Sequence, residues 1–151
     1  STDGATLLTN EEVSGFVGHL LSFPQDVTSE AYWSFIVPPY YKGTAVIPFK
    51  VLWTINEQNA DTEDQIIWAI TAKIASLPAT IGGGTSKTGG LTDTFPYSGP
   101  GSLHITRTSV INVNFGTDLG VGDMVFIKLA RSGTTDSFTI PALVHSVEIS
   151  E

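Results

Sequence analysis

Three histidines are the residues in this 151-residue chain that are best suited to bind a metal ion. His19, His104 and His145 are far apart in the sequence, although some catalytic zinc sites do use three histidines. Neither an H-x-H pair nor an H-E-x-x-H motif is present. We therefore predict that the histidines belong to separate strands and that the chain has no metal site and no cofactor.

An acidic stretch, NEQNADTEDQ at residues 56–65, carries several oxygen ligands on a short segment. Asn59, Asp61, Glu63 and Asp64 resemble half of a calcium loop, because hard cations bind several carboxylate and carbonyl oxygens. The glycine at the sixth position and the glutamate at the twelfth position of such a loop are missing. The stretch favours a solvated loop between two strands, in which any ion would be structural.

A glycine-rich segment, IGGGTSKTGGLTDTFPYSGPG at residues 81–101, invites comparison with phosphate-binding loops. Those loops need a Gly-Lys-Ser/Thr triplet that opens a helix. Here Gly84 is followed by Thr-Ser-Lys-Thr, and no amphipathic helix follows. The chain also has no cysteine and no G-x-S-x-G nucleophile elbow. We predict a surface loop and no catalytic residue.

Aromatic residues are the remaining candidates, because flat rings can stack on sugars. The three tryptophans share strand parity with aliphatic residues, which predicts that they fill the core: Trp33, Trp53 and Trp68. The tyrosines in loops can contact a partner protein or a sugar: Tyr40, Tyr41 and Tyr97. Residues 38–41 also spell the docking peptide P-P-x-Y, but strands predicted on both sides favour a turn over a free extended peptide.

Composition excludes two classes of partner. Hydrophobic residues make up 41% of the chain and charged residues 15%, which indicates a folded domain. Seven basic residues against fifteen acidic ones give a net charge of -8, which repels nucleic acid and anionic lipid. No apolar run approaches the ~18 residues of a membrane-spanning segment. We predict neither nucleic acid nor membrane as a partner.

Hydrophobic periodicity predicts the elements that position these residues. Residues 45–55 and 66–74 alternate between apolar and polar side chains, and period two is typical of half-buried strands. With the shorter runs this gives seven or eight strands at the spacing of a β-sandwich. We predict one domain over residues 16–151, preceded by a polar N-terminal arm over residues 1–15.

Three stretches, WSFIVPPYYKGTAVIPFKVLW, IIWAITAKI and GVGDMVFIKLARSGTTDSFTIPALVHSVEI, together resemble the single jelly-roll domains of tailed-bacteriophage capsid decoration (cement) proteins and head fibres. The resemblance covers roughly residues 30–150. The residues that carry it lie around the first turn, on the tryptophan strands and in the stretch that begins at Gly122: Phe35, Pro38, Tyr41, Gly43, Trp53, Trp68, Gly122, Asp123, Val125, Ile127, Leu129 and Arg131.

This resemblance implies an all-β, antiparallel jelly-roll sandwich of about eight strands. It implies a homotrimer on the capsid exterior of the virion that binds between subunits of the major capsid protein, without enzymatic activity. The residues that we expect at its interfaces lie in the loops and the arm: Tyr40, Tyr41, Tyr97, Asp61, Glu63, Leu7 and Leu8.

Two other classes of function stay open on the same fold, because sites rather than folds carry function. The first is a carbohydrate-binding or receptor-binding fibre domain that holds a glycan on a tyrosine-lined patch. The second is a sandwich enzyme, such as a cupin-like or glycan-cleaving protein.

Overall fold

The computed structural model describes residues 2–4, 6–13, 16–37, 39, 45–78, 86–98, 105–116 and 119–149, with the backbone alone up to residue 19. These residues form eleven β-strands and no helix. The strands are β1 (Thr2–Gly4), β2 (Thr6–Val13), β3 (Phe16–Phe23), β4 (Thr28–Ile36), β5 (Val46–Thr54), β6 (Gln65–Ala75), β7 (Ser86–Thr94), β8 (Thr106–Arg107), β9 (Ile111–Asn114), β10 (Met124–Ser132) and β11 (Ala142–Ile149). The prediction of an all-β protein is confirmed.

The strands form two sheets. Sheet A has the order β1-β4-β10-β6-β7, and sheet B has the order β2-β3-β11-β5, with β5 also pairing with the short strands β8 and β9. Every pairing is antiparallel except that of β1 with β4, which is parallel. From β3 to β6, consecutive strands lie in opposite sheets. The two sheets are packed face to face as a β-sandwich.

The core between the sheets contains the side chains that alternation predicts. On β5 and β6 the inward residues are almost fully buried: Ile47, Phe49, Val51, Trp53, Ile66, Trp68, Ile70 and Ala72. Trp53 lies at the centre, with edge-to-face contacts to Trp68, Phe95 and Phe138 at centroid distances of 5.8, 5.1 and 5.5 Å. Two of the three tryptophans therefore fill the core as predicted, and Trp33 is partly buried against it.

The predicted N-terminal arm contributes strands to both sheets of its own chain. β1 pairs with Thr28–Glu30 at the edge of sheet A, and β2 pairs with β3 at the edge of sheet B. In that pairing Leu7 lies opposite Leu21, and Leu8 lies opposite Leu20. The role of Leu7 and Leu8 in contacts with a second protein stays a prediction.

A buried cation sits in the sandwich. Arg131 is fully buried on β10, on the same strand face as Val125 and Leu129. Its Nε and Nη2 donate to Asp136 Oδ2 and Oδ1 at 2.9 and 3.1 Å. The backbone carbonyl oxygens of the neighbouring segments accept its other bonds: Nη1 donates to Phe23 and Ile140 at 2.7 and 2.9 Å, and Nη2 also donates to Phe138. All five guanidinium N–H groups are therefore satisfied.

Removing Arg131 leaves Asp136 and three carbonyl oxygens buried without their partner. Breaking a buried ion pair typically costs about 3–5 kcal/mol, so we expect Arg131→Met to lower the free energy of unfolding by that amount in urea denaturation. The matched control is Arg107→Met, because the Arg107–Glu148 pair is exposed and such pairs contribute about 0–1 kcal/mol. Equal losses in the two variants would contradict this assignment.

The two sheets approach each other closely at β7 and β9. A Cβ atom on Gly89 would lie 2.0 Å from the backbone carbonyl oxygen of Asn112, whereas one on Gly90 would meet nothing closer than 3.6 Å. Glycine at position 89 is therefore required by the contact between the sheets, and glycine at position 90 is not.

These adjacent glycines form a matched pair for mutation. We expect Gly89→Ala to force the backbone apart and lower the free energy of unfolding by about 1–3 kcal/mol, the usual cost of overpacking. Gly90→Ala should change it by much less. The midpoints and slopes of urea denaturation measure both effects, and the reverse ranking would show that the sheets do not meet at this point.

Candidate functional site

Three of the predicted interface residues lie at one end of the sandwich. One end of the sandwich contains the β3–β4 turn, the β5–β6 loop, residues 95–98 and the β10–β11 loop, because Thr28 pairs with Ser132 and Gln65 pairs with Thr94. We call it the acidic end. Tyr97, Asp61 and Glu63 belong to it.

Tyr40 and Tyr41 lie outside the described residues. The preceding strand, β4, ends at Ile36, which pairs with Met124 at the start of β10. That is the end of the sandwich opposite the acidic end. A patch that joins these two tyrosines to Tyr97 stays a prediction.

The acidic end concentrates negative charge. Besides Asp136, which pairs with Arg131, its carboxylates lie in the β3–β4 turn, in the β5–β6 loop and near the end of β7: Asp26, Glu57, Asp61, Glu63, Asp64 and Asp93. Residues 24–27, 55–64, 95–98 and 133–141 contain no lysine or arginine. This end therefore repels anionic partners and favours solvent or a basic surface.

The β5–β6 loop is held by an asparagine. Asn59 is buried, and its Nδ2 donates to the carbonyl oxygens of Phe95 and Tyr97, both at 3.1 Å. Its backbone N–H donates to the carbonyl oxygen of Ser98 at 3.2 Å. The side-chain amide thereby ties the loop to the segment that follows β7, a role that the comparison with a calcium loop does not predict.

Asp61 forms a local turn. Its Oδ1 accepts a bond from the backbone N–H of Glu63 at 2.9 Å, and its carbonyl oxygen accepts one from Asp64 at 3.3 Å. Asp61 and Glu63 are exposed. Among the described residues, no group of three or more His, Cys, Asp and Glu side chains could hold a metal ion.

Tyr97 presents an exposed ring in a fixed position. Its ring makes an edge contact with the buried Phe95 at a centroid distance of 5.6 Å, and 38% of the residue is exposed. The bonds from Asn59 to the backbone on both sides restrict the segment further. This ring is the part of the predicted aromatic surface that the structure describes.

Exposed apolar residues lie at the opposite end, on the outer face of sheet A and in the loops beside it. We call these residues the apolar patch: Ile36, Leu77, Val121, Met124 and Phe126. Met124 pairs with Ile36 on one side and with Ala75, two residues before Leu77, on the other. The bond from the backbone N–H of Gly122 to Val37 places Val121 beside them.

Exposure makes this patch unusual for a sheet face. Ile36, Leu77, Val121 and Phe126 are 47%, 55%, 58% and 37% exposed. A contiguous exposed apolar surface marks a site of protein contact more often than scattered single residues do. Sequence reasoning missed the patch, although Ile36 and Phe126 are apolar residues on the outward parity of strands whose inward parity is apolar as well.

Next to the patch, Tyr32 and two charged side chains form a polar border. The Tyr32 hydroxyl donates to Glu30 Oε2 at 2.5 Å, and Lys128 Nζ lies 3.4 Å from Glu30 Oε1. The hydrogen bond to Glu30 raises the pKa of Tyr32 above its ordinary value. An apolar centre with a polar border is the usual anatomy of a protein interface.

Comparison with known proteins adds no relative: no family model, no curated protein and no solved structure matches the chain. Among the described residues, no helix is long and apolar enough to cross a membrane. The functional conclusion therefore depends on the two ends of the sandwich and on the sequence resemblance.

Asp93, at the acidic end, links stability to pH. Burial raises the pKa of this carboxyl, and the hydrogen bond that it accepts from the backbone N–H of Thr94 offsets part of the shift. Because the pKa is higher in the folded state, folding binds protons between the unfolded and folded pKa values. Stability therefore falls as the pH rises through that window.

We expect Asp93→Asn to be more stable than the original chain at pH 7, since asparagine still accepts the Thr94 bond and carries no charge. The advantage should shrink as the pH falls through that window and should be lost below the ordinary aspartate pKa of about 4. Urea midpoints across a pH series measure it. Glu57→Gln removes the same charge from an exposed position at this end, and an equal, equally pH-dependent gain there would exclude burial of Asp93 as the cause.

Proposed function

We propose that this chain is a virion structural protein: a capsid decoration (cement) protein of a tailed bacteriophage that binds between major capsid subunits and stabilises the head. The observation that carries the proposal is the apolar patch at one end of the sandwich, remote from the acidic end. One end can dock on a protein surface while the other faces solvent. The proposal assigns no catalytic residue.

The strand order supports the jelly-roll fold that the sequence resemblance implies. Eight strands lie in two sets of four, β3-β11-β5-β9 and β4-β10-β6-β7. A jelly roll is a double sheet of eight strands built from two Greek keys. The first and last of these strands, β3 and β11, are neighbours in sheet B, as that fold requires.

The chemistry of the patch suits docking on a capsid. Ile36, Val121 and Phe126 supply the apolar centre of an interface, and Lys128 and Glu30 supply a neutral border in a chain of net charge -8. A decoration protein that holds several subunits gains affinity by effective concentration, so each contact can be small. The homotrimer expected from the resemblance stays a prediction.

The test compares two aromatic residues with nearly equal exposure at opposite ends of the molecule. On tailed-phage particles stripped of the chain, we expect the original protein to rebind and to raise the temperature at which the heads disrupt. Phe126→Ser should weaken rebinding by roughly 30-fold, the equivalent of about 2 kcal/mol for an interface anchor. Tyr97→Ser is the control: although the sequence analysis expects Tyr97 at an interface, the proposal assigns docking to the opposite end, so this variant should rebind normally.

Urea denaturation of both variants verifies that they fold. Purified virions that lack the chain would overturn the proposal, and so would normal rebinding by Phe126→Ser.

A carbohydrate-binding or receptor-binding fibre domain is the second candidate. The observation that favours it is the Tyr97 ring, which Phe95 and Asn59 hold in an exposed position suitable for stacking on a sugar. The same two variants separate the candidates. Retention on a glycan array that is lost in Tyr97→Ser and kept in Phe126→Ser would favour the second candidate over capsid decoration.

A further inference from the structure

One edge of sheet A is open. β1 covers β4 only at Thr28–Glu30. Because β1 runs parallel to β4, its continuation would cover residues 31–36, but from Thr6 the chain forms β2 in sheet B instead. Among the described residues, no strand pairs with residues 31–36 on the side away from β10.

The backbone groups that face this open edge can be identified. The N–H of Val37 donates to Asp123 at 2.9 Å, and its C=O accepts from Gly122 at 3.0 Å, so both groups point toward the chain that leads into β10. Hydrogen-bonding direction alternates along an antiparallel strand. The N–H and C=O groups of Tyr32, Ser34 and Ile36 therefore point toward the open edge.

We propose that β4 pairs antiparallel with β4 of a second copy of this chain, about a two-fold axis at Ser34. This register uses the three residues whose backbone groups face the edge. It places Tyr32 opposite Ile36 of the partner subunit on the outer face, and Trp33 opposite Phe35 of the partner subunit on the inner face. A two-fold contact is self-complementary, so each of these pairs occurs twice.

The side chains of β4 favour a second copy of β4 at this edge. Aromatic–aromatic and aromatic–β-branched pairs are the ones that stabilise neighbouring strands. Trp33 and Phe35 are only partly buried in the single chain, and Tyr32 is 69% exposed, so pairing would bury all three further.

Charge favours a second copy at this edge over other surfaces of the chain. Natural edge strands are usually protected by lysine, proline or a bulge, and residues 31–36 contain no charged residue and no proline. Two copies with a net charge of -8 each repel one another overall. Their uncharged edges can approach with the least repulsion.

The inference does not rest on the proposed function. A two-fold contact of this kind does not by itself close a homotrimer, so the mass in solution distinguishes the two expectations. A measured mass of twice 16.1 kDa supports the pairing of two copies.

A single-cysteine experiment tests the register, because the chain has no cysteine of its own. Hydrogen-bonded partners in an antiparallel pair have Cα atoms about 5.5 Å apart, within the range of a disulfide. We expect Ser34→Cys to form a disulfide-linked dimer under mild oxidation. Lys128→Cys, on β10, is the matched control: three strand spacings separate the two copies by at least about 14 Å, so it should stay monomeric on a non-reducing gel.

A second pair of variants tests the hydrogen bonds without relying on oxidation. The N–H of Ser34 faces the open edge, so Ser34→Pro removes no bond within the chain and blocks the contact between copies. We expect light scattering to give the mass of one chain for Ser34→Pro and of two chains for Ser34→Thr. Absence of the Ser34→Cys dimer, or a mass that does not change in a folded Ser34→Pro, would overturn the inference, and so would a trimer that Ser34→Pro leaves intact.

Discussion

The buried guanidinium of Arg131 is the interaction on which the acidic end of this sandwich depends. A charge removed from water must be paired and fully hydrogen-bonded to be tolerated. Arg131 meets that condition by binding Asp136 and the carbonyl oxygens of Phe23, Phe138 and Ile140. One side chain on sheet A thereby fixes the last residue of β3 in sheet B and the whole β10–β11 loop.

A series of packed aromatic rings connects Arg131 to the surface. Arg131 lies over Phe138 at 5.6 Å, Phe138 contacts Trp53, Trp53 contacts Phe95, and Phe95 supports Tyr97. The acidic loop then binds the same segment through Asn59. Tyr97 and the acidic loop are therefore held in place by rigid packing. A surface that is already ordered loses less conformational entropy when it binds a partner.

Sequence periodicity predicted the all-β class and the burial of Trp53 and Trp68, because alternation on a strand reports one buried face directly. Periodicity did not identify Arg131 as a buried residue, although it shares its parity with Val125 and Leu129. A charged side chain on a strand is ordinarily expected to face solvent. The role of Asn59 escaped for a related reason. An amide in an acidic loop has the same composition whether it binds a cation or a backbone carbonyl, and only the distant segment that it contacts distinguishes the two.

The two edges of sheet A differ in how far other strands cover them. β7 forms one edge of sheet A and contacts β9 of the facing sheet at Gly89. β4 is covered for three residues and then left uncovered beside Tyr32 and Ile36, next to the apolar patch. An uncharged edge and an apolar face that adjoin each other would both promote association. We interpret this combination as a surface that a second protein chain covers.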